Sequence, residues 1–319
     1  LVIVLIFING YIIFEQKNMN FRKLMTFVAF NFLGSLMLSG QADTCVFFYG
    51  KFTDGAKVYL FADKVNIREA DSPKSSIICN LPIGTPMTII SGSEKTYESN
   101  GISTNWYQVG FYKDGTYKTG YVWGNLISYA SIPFYENGEN LLFVCAPTSR
   151  TEEDGFLMTA KIIADGTILN SLVFKPIYTE MAASNAFEYG VSGIRLDKSG
   201  FTGVSKIFAV GFEYGACGYA NGDVLFFRTG NDLLEFARAT RVTEAGVFNV
   251  SYNFIFPKDN GGVNNTLFVE ERQVEYDFVN DKMVITSDVT YRRKVTWDGK
   301  KAFEAEKKEE IDNLKRKQK

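Results

Sequence analysis

Chemistry in a protein needs groups that move protons, attack carbon or hold metal, and this sequence lacks the most versatile of them. None of its 319 residues is histidine. That removes Ser-His-Asp and Cys-His nucleophile pairs, His-liganded zinc or haem, and imidazole pH switching. An enzyme would have to use paired carboxylates, a Ser-Lys couple, an activated cysteine or a bound metal. The acids cluster at Glu152, Glu153 and Asp154 and again at Glu270 and Glu271, but a hydrolase needs two acids facing one cleft at a set separation. Acids grouped in hydrophilic turns are ordinarily solvated charge. Cys217 lies in Tyr214-Gly215-Ala216-Cys217-Gly218-Tyr219 with no histidine to take its proton, and reads as a bridge or core residue. The loop 257–265 is rich in oxygen ligands and glycine, yet lacks the alternating acids ending in a bidentate Glu that a calcium loop requires; turns select the same residues. No phosphate-binding glycine loop and no G-x-G-x-x-G is present. The expectation is a non-enzyme with no catalytic residues, no metal and no cofactor.

The four cysteines, Cys45, Cys79, Cys145 and Cys217, lie too far apart for the paired spacing of a structural zinc site. Their compartment decides how they read. Met19 is a plausible start, Arg22 and Lys23 a positive region, Leu24 to Leu38 an apolar region, and Ser39-Gly40-Gln41-Ala42 a small-residue cleavage site. Residues 1–42 are therefore expected to be an upstream segment plus a signal peptide. Neither apolar stretch, Leu1 to Phe14 or Leu24 to Leu38, reaches the roughly 18 residues of a membrane span, although a two-helix membrane hairpin is the competing reading. Export makes the cysteines disulfide candidates, Cys45 with Cys79 and Cys145 with Cys217, against the alternative of buried free thiols.

The elements that must position any site are strands. Short apolar runs at Lys57–Phe61, Val65–Arg68, Ile77–Leu81, Thr85–Ile90, Trp106–Phe111 and Gly120–Leu126 are broken by Asp71-Ser72-Pro73, Pro82-Ile83-Gly84 and Ser91-Gly92-Ser93. Six strands in about 70 residues predict a small closed barrel over residues 57–130. Beyond Ile132-Pro133 and Asn137-Gly138, read as a linker, a larger antiparallel β domain is expected over 139–300. Phe248, Val250, Tyr252, Phe254 and Phe256 alternate with polar residues, as do Phe208 to Tyr214 and Val274 to Phe278. Asp165-Gly166, Gly230-Asn231 and Asp298-Gly299 supply hairpin turns. The class is all-β, with a meander or sandwich preferred over a short propeller-like array. Asp232 to Ala245 and Ile177 to Tyr189 fit helix or strand equally. The tail 301–319 pairs Glu304 with Lys308 and Asp312 with Arg316 at i,i+4, which predicts a charged helix.

Four blocks of the first region resemble the bacterial SH3 domain in order: Val65-Asn66-Ile67-Arg68 with Asp71-Ser72-Pro73, Ile77 to Ile90 with Gly84 after Leu81, Trp106-Tyr107-Gln108-Val109, and Gly120-Tyr121-Val122-Trp123. The segments 92–105 and 112–116 are longer than that pattern requires. The resemblance covers about a fifth of the chain. It implies an SH3-like barrel that binds a peptide or peptidoglycan element, with Trp106, Tyr107, Tyr121 and Trp123 as its aromatic face. Alternation along a strand sends half of its side chains inward, so each of the four has a second reading as core. The wall peptidases that pair this module with a Cys-His domain are excluded by the absence of histidine.

Composition bounds the partners. With 34 basic against 36 acidic residues, the chain lacks the basic excess of a duplex nucleic-acid binder. Removing residues 1–42 takes out three basic residues and one acidic, leaving 31 against 35 and a net charge of −4. The expected function is an exported bacterial envelope protein located in the periplasm, at the surface or outside the cell. Its partner would be a cell-wall peptide or another envelope protein, with the membrane touched only through the signal segment. The alternative is a structural or interaction protein in which the SH3-like barrel only packs against the β domain; a carboxylate-based wall hydrolase is the third reading.

Overall fold

The computed structural model describes residues 5–8, 11–14, 46–179, 185–280, 282–305 and 309–311. The expected signal segment from Met19 to Ala42, and Cys45, lie outside them. No helix among the described residues is long and apolar enough to cross a membrane. The chain divides into two units, 1–39 and 40–319. In the first, β1 (Leu5–Ile8) pairs antiparallel with β2 (Tyr11–Phe14), placing Ile8 opposite Tyr11, as runs of Ile, Phe and Tyr favour.

The second unit opens with a hairpin of β3 (Phe47–Phe48) and β4 (Lys51–Phe52). Six strands follow: β5 (Lys57–Tyr59), β6 (Val65–Arg68), β7 (Ile77–Leu81), β8 (Pro86–Ser99), β9 (Ile102–Lys113) and β10 (Thr116–Trp123), then a single 3₁₀ turn at Gly124–Leu126. All six predicted strands are present. β8 and β9 run longer than predicted because Asn100-Gly101 and Asp114-Gly115 both take positive φ at each residue, the two-residue turn that extends a hairpin. The sheet order is β5-β8-β9-β10-β6-β7. No ladder joins β5 to β7 among the described residues, so this sheet is not the closed barrel expected from its short strands. The turn at Pro82-Ile83-Gly84 rests on the next sheet, where a Cβ on Gly84 would lie 3.2 Å from Ile163 and 3.8 Å from Leu142.

That next sheet is a meander of β11 (Ala130–Glu136), β12 (Glu139–Thr151), β13 (Gly155–Ala164) and β14 (Thr167–Phe174). Asn137-Gly138 is no linker. With φ of 50° and 89° it is a two-residue turn that sets Glu136 opposite Glu139, since the left-handed backbone that marks flexible connections also makes the tightest hairpins. A second meander runs through β15 (Gly190–Leu196), β16 (Val204–Glu213), β17 (Asn221–Thr229), β18 (Asp232–Glu244), β19 (Phe248–Ile255), β20 (Thr266–Val279), β21 (Lys282–Trp297) and β22 (Ala302–Glu304). β23 (Glu309–Ile311) also pairs with β21, and β3 and β4 close the other end of this 11-stranded sheet. One continuous meander replaces the propeller-like alternative, which needs separate blades around an axis.

The stretch from Asp232, open to two readings, is strand β18: the Gly230-Asn231 turn sets Asp232 opposite Thr229 and starts its ladder. Ile177–Tyr189 is irregular in its described residues. The tail is corrected too. Its described parts are β22 and β23, not helix, because i,i+4 ion pairs contribute only a few tenths of a kcal/mol while the β21 edge offers a ladder. Arg293 donates to Glu304 at 2.8 Å, while Lys308, Asp312 and Arg316 of the expected i,i+4 pairs lie outside the described residues.

The four-stranded sheet stacks on the long one through phenylalanines: Phe143 lies parallel to Phe208 at 4.7 Å, and Phe174 meets Phe226 edge-on at 4.9 Å. A single buried cluster extends from Phe47 to Leu233 and draws on all three sheets. A smaller cluster of Phe201, Phe227, Phe236 and Trp297 covers the opposite face of the long sheet, with Phe227 stacked on Phe236 at 3.8 Å.

Candidate functional site

Trp106 and Tyr107 are adjacent on β9 and therefore point to opposite faces of its sheet. Both are buried, because β9 is flanked by β8 and β10 and covered on each side. Trp106 pairs across the ladder with Trp123, and Tyr121, two residues earlier on β10, shares their face. Tyr97 from the extended part of β8 closes over them, edge-on to Trp123 at 5.2 Å and tilted to Trp106 at 6.3 Å. The Trp123 indole donates to the carbonyls of Tyr97 at 3.0 Å and Thr104 at 3.2 Å.

Tyr107 points the other way, into the main core. Phe52 meets it edge-on at 5.1 Å, and the Phe52 amide donates to its hydroxyl at 3.2 Å. Burial raises the Tyr107 phenol above its ordinary value, against the Phe52 amide, which lowers it. Gly124 lies so close that a Cβ there would come within 2.8 Å of both the Tyr107 ring and the Thr104 hydroxyl.

The four predicted face residues thus divide three and one. Trp106, Tyr107 and Trp123 are only 4 %, 1 % and 7 % exposed, and Tyr121 is half-buried. They do not form the open aromatic face that the resemblance implies. The physical reason is the lengthened hairpin: residues beyond the compact pattern supply Tyr97, the lid on the two tryptophans. What this sheet exposes is a different pair, Tyr112 and Tyr117, opposite each other across the Asp114-Gly115 turn with rings 5.3 Å apart and 71 % and 52 % exposed. Their symmetric placement about a Gly turn was the available signal in the sequence.

None of the described cysteines is bridged, and Cys45 of the expected Cys45–Cys79 pair lies outside the described residues. Cys79 and Cys145 are buried free thiols, and Cys217 is an exposed one on the β16–β17 loop. Cys145 sits in the core on β12, where burial pushes its thiol up to about 12, and the exposed Cys217 cannot reach it without breaking that core. Three of the five clustered acids are engaged, and Glu152 and Glu153 are exposed. Asp154 pairs with Lys175 at 3.2 Å, Glu270 with Arg292 at 2.5 Å, and Glu271 accepts from Gln273 at 2.7 Å. In the loop 257–265, Asp259 accepts from Lys198 at 2.6 Å and from the Phe256 amide at 2.9 Å, so its carboxylate organises the turn. Among the described residues no group of three or more acids or cysteines is placed to hold a metal.

One polar chain escaped the reading of the sequence. Arg241 donates to Glu213 at 2.5 Å and to the Tyr252 hydroxyl at 3.3 Å, and that hydroxyl donates to Asp223. Burial raises the Asp223 carboxyl, while Tyr252 and Arg241 lower it. Four adjacent strands contribute one residue each, a relation that only strand order creates. No protein-family model, curated protein or solved structure matches this chain.

Proposed function

We propose that the chain is a non-catalytic protein of the bacterial envelope, in which the SH3-like segment serves as a structural part of one β body that engages another envelope component. Export is the reading that the residues from Met19 to Ala42 support. The observation that carries the structural role is the burial of Trp106, Tyr107 and Trp123, with Tyr107 hydrogen-bonded to Phe52 of the hairpin that joins the long sheet.

A second reading, binding of a wall peptide by this sheet, has one feature in its favour: the exposed Tyr112 and Tyr117 at its hairpin tip. Tyrosines of this kind supply a flat apolar body with a polar edge. The two readings separate on substitution. Under the structural role, Trp106→Ala lowers the unfolding free energy by about 3–5 kcal/mol, the cost of emptying a large core site, measured by urea denaturation. Retention of the full chain on purified sacculi, lost on Tyr112→Ser/Tyr117→Ser and kept by a folded Trp106→Ala, would instead establish the wall-binding role at the tip.

A further inference from the structure

A lone two-stranded hairpin is at best marginally stable in water, because its side chains have no further sheet to pack on. β20 and β21 become such a ribbon at their shared tip. The ladder to β19 ends with Phe248 opposite Glu275, while β22 and β23 pair with β21 only at Thr290 and beyond. From Tyr276 to Val279 and from Lys282 to Ile285, the two strands form ladders only with each other among the described residues.

The tip is nonetheless apolar. Phe278 lies opposite Met283 and Tyr276 opposite Ile285, and alternation puts these four on one face, with Asp277, Val279, Lys282 and Val284 on the other. Phe278, Val279, Met283, Val284 and Ile285 are each 37 % to 60 % exposed. The β18–β19 turn adds a sixth apolar side chain. Its Val247 carbonyl accepts from the Tyr276 amide at 2.9 Å, and a Cβ on Gly246 would lie 3.2 Å from the Phe278 ring, which sets the exposed Val247 beside the ribbon. Exposed apolar side chains gathered in this way mark an interaction surface.

Shape and charge say what covers it. The surface is a projecting tip with apolar side chains on both faces. A protein laid on one face would leave the other in water, whereas lipid surrounds the whole ribbon. Asp277 and Lys282 carry opposite charges on the same face, so the tip offers no single sign to a charged partner. The ion pair of Arg272 with Asp288 at 2.7 Å is set back toward the body of the sheet. From Tyr276 to Val279 the strand advances about 10 Å at roughly 3.3 Å per residue. That matches the depth of about 5–10 Å at which amphipathic elements sit in a membrane interface, and falls well short of the hydrocarbon core of about 30 Å.

We infer that the β20–β21 tip, with Val247 beside it, inserts into the headgroup–acyl boundary of a lipid bilayer by apolar contact. This goes beyond the function proposed above and depends neither on export nor on the role of the SH3-like segment. Phe278→Trp in the full chain, mixed with vesicles of phosphatidylcholine, which carries no net charge, tests it. The native Trp106, Trp123 and Trp297 are buried, so the added indole reports on the tip, and lipid contact by another segment does not imitate its signal.

On vesicles the added emission shifts to the blue, and phosphatidylcholine brominated on its acyl chains quenches it, relative to the native chain in the same mixture. Adding Val279→Ser/Ile285→Ser raises the lipid concentration for half-maximal quenching at least about tenfold, as withdrawing two apolar side chains from lipid provides. The urea midpoint stays where it was, because both side chains are exposed. Three results would overturn the inference. One is no quenching up to about 5 mM lipid, where even the marginal binding of a single acyl chain is complete. The second is quenching that the two serines leave unchanged. The third is a blue shift that grows with protein concentration in the absence of lipid, which would assign the tip to a second copy of this chain.

Discussion

Glu136 and Arg228 are 92 residues apart in sequence, and their side chains meet with 7 % and 3 % exposure, Arg228 Nε lying 3.2 Å from Glu136 Oε2. The pair ties the end of β11 to β17. It is incompletely satisfied, because Glu136 Oε1 and Arg228 Nη1 are buried without a hydrogen-bond partner. Desolvating two charges costs several kcal/mol, and their attraction offsets this only when the remaining polar atoms are bonded. Removing one partner is therefore far worse than removing both. Arg228→Met leaves a buried carboxylate uncompensated and costs about 3–5 kcal/mol, whereas Glu136→Leu/Arg228→Met recovers most of that loss. Denaturant midpoints of the two variants check the order; a single variant as stable as the double one would mean that water already solvates the pair. Nothing near Glu136 or Arg228 in the sequence announces the partnership. The tryptophans are a parallel case: their β-strand setting was legible from alternation, but their lid, Tyr97, comes from a hairpin whose length is set by Asn100-Gly101.

Strands and turns were the most legible level, because a strand alternates within a few residues and a tight turn is made by two. What local signals left open was the use of each turn. Asn137-Gly138 and Asn100-Gly101 have the same chemistry and similar φ values, yet their settings differ. Gly138 faces open space, with no atom within 4 Å of an added Cβ, while a Cβ on Gly101 would lie 2.2 Å from the Arg150 carbonyl oxygen on β12. The β8–β9 tip is docked there, since the Arg150 amide donates to the Asn100 carbonyl at 2.9 Å and the Ser103 amide to that of Asn185 at 2.8 Å. Gly138→Ala carries only the conformational penalty of a left-handed alanine, about 1 kcal/mol. Gly101→Ala adds displacement of the hairpin and costs at least about twice as much. Urea denaturation of both variants measures the difference, and equal losses would show that the tip contributes no docking energy.

At the scale of the whole molecule, the boundary read between two domains does not exist as a boundary in the packing. Phe47 and Phe52 precede the six-stranded sheet in the chain, yet Phe47 pairs with Val191 in the long sheet while Phe52 rests on Tyr107. Lys161 on β13 donates to the Phe61 carbonyl at 3.0 Å and lies 3.7 Å over the Phe61 ring. Gly166 in the β13–β14 turn leaves 3.3 Å between an added Cβ and Pro82. Domains that merely adjoin meet through smaller, more polar interfaces and can unfold separately; here the six-stranded sheet has no complete core without its neighbours. The expectation is a single cooperative transition. The three tryptophans make it measurable, since Trp106 and Trp123 report on the six-stranded sheet and Trp297 on the far face of the long one. Trp297→Phe and Trp106→Phe/Trp123→Phe each leave one sheet fluorescent. Within each variant, the fluorescence midpoint in urea coincides with that of far-ultraviolet circular dichroism. An earlier fluorescence midpoint for the six-stranded sheet would mean that this sheet unfolds by itself, as a separate domain does and an integral part of one core does not.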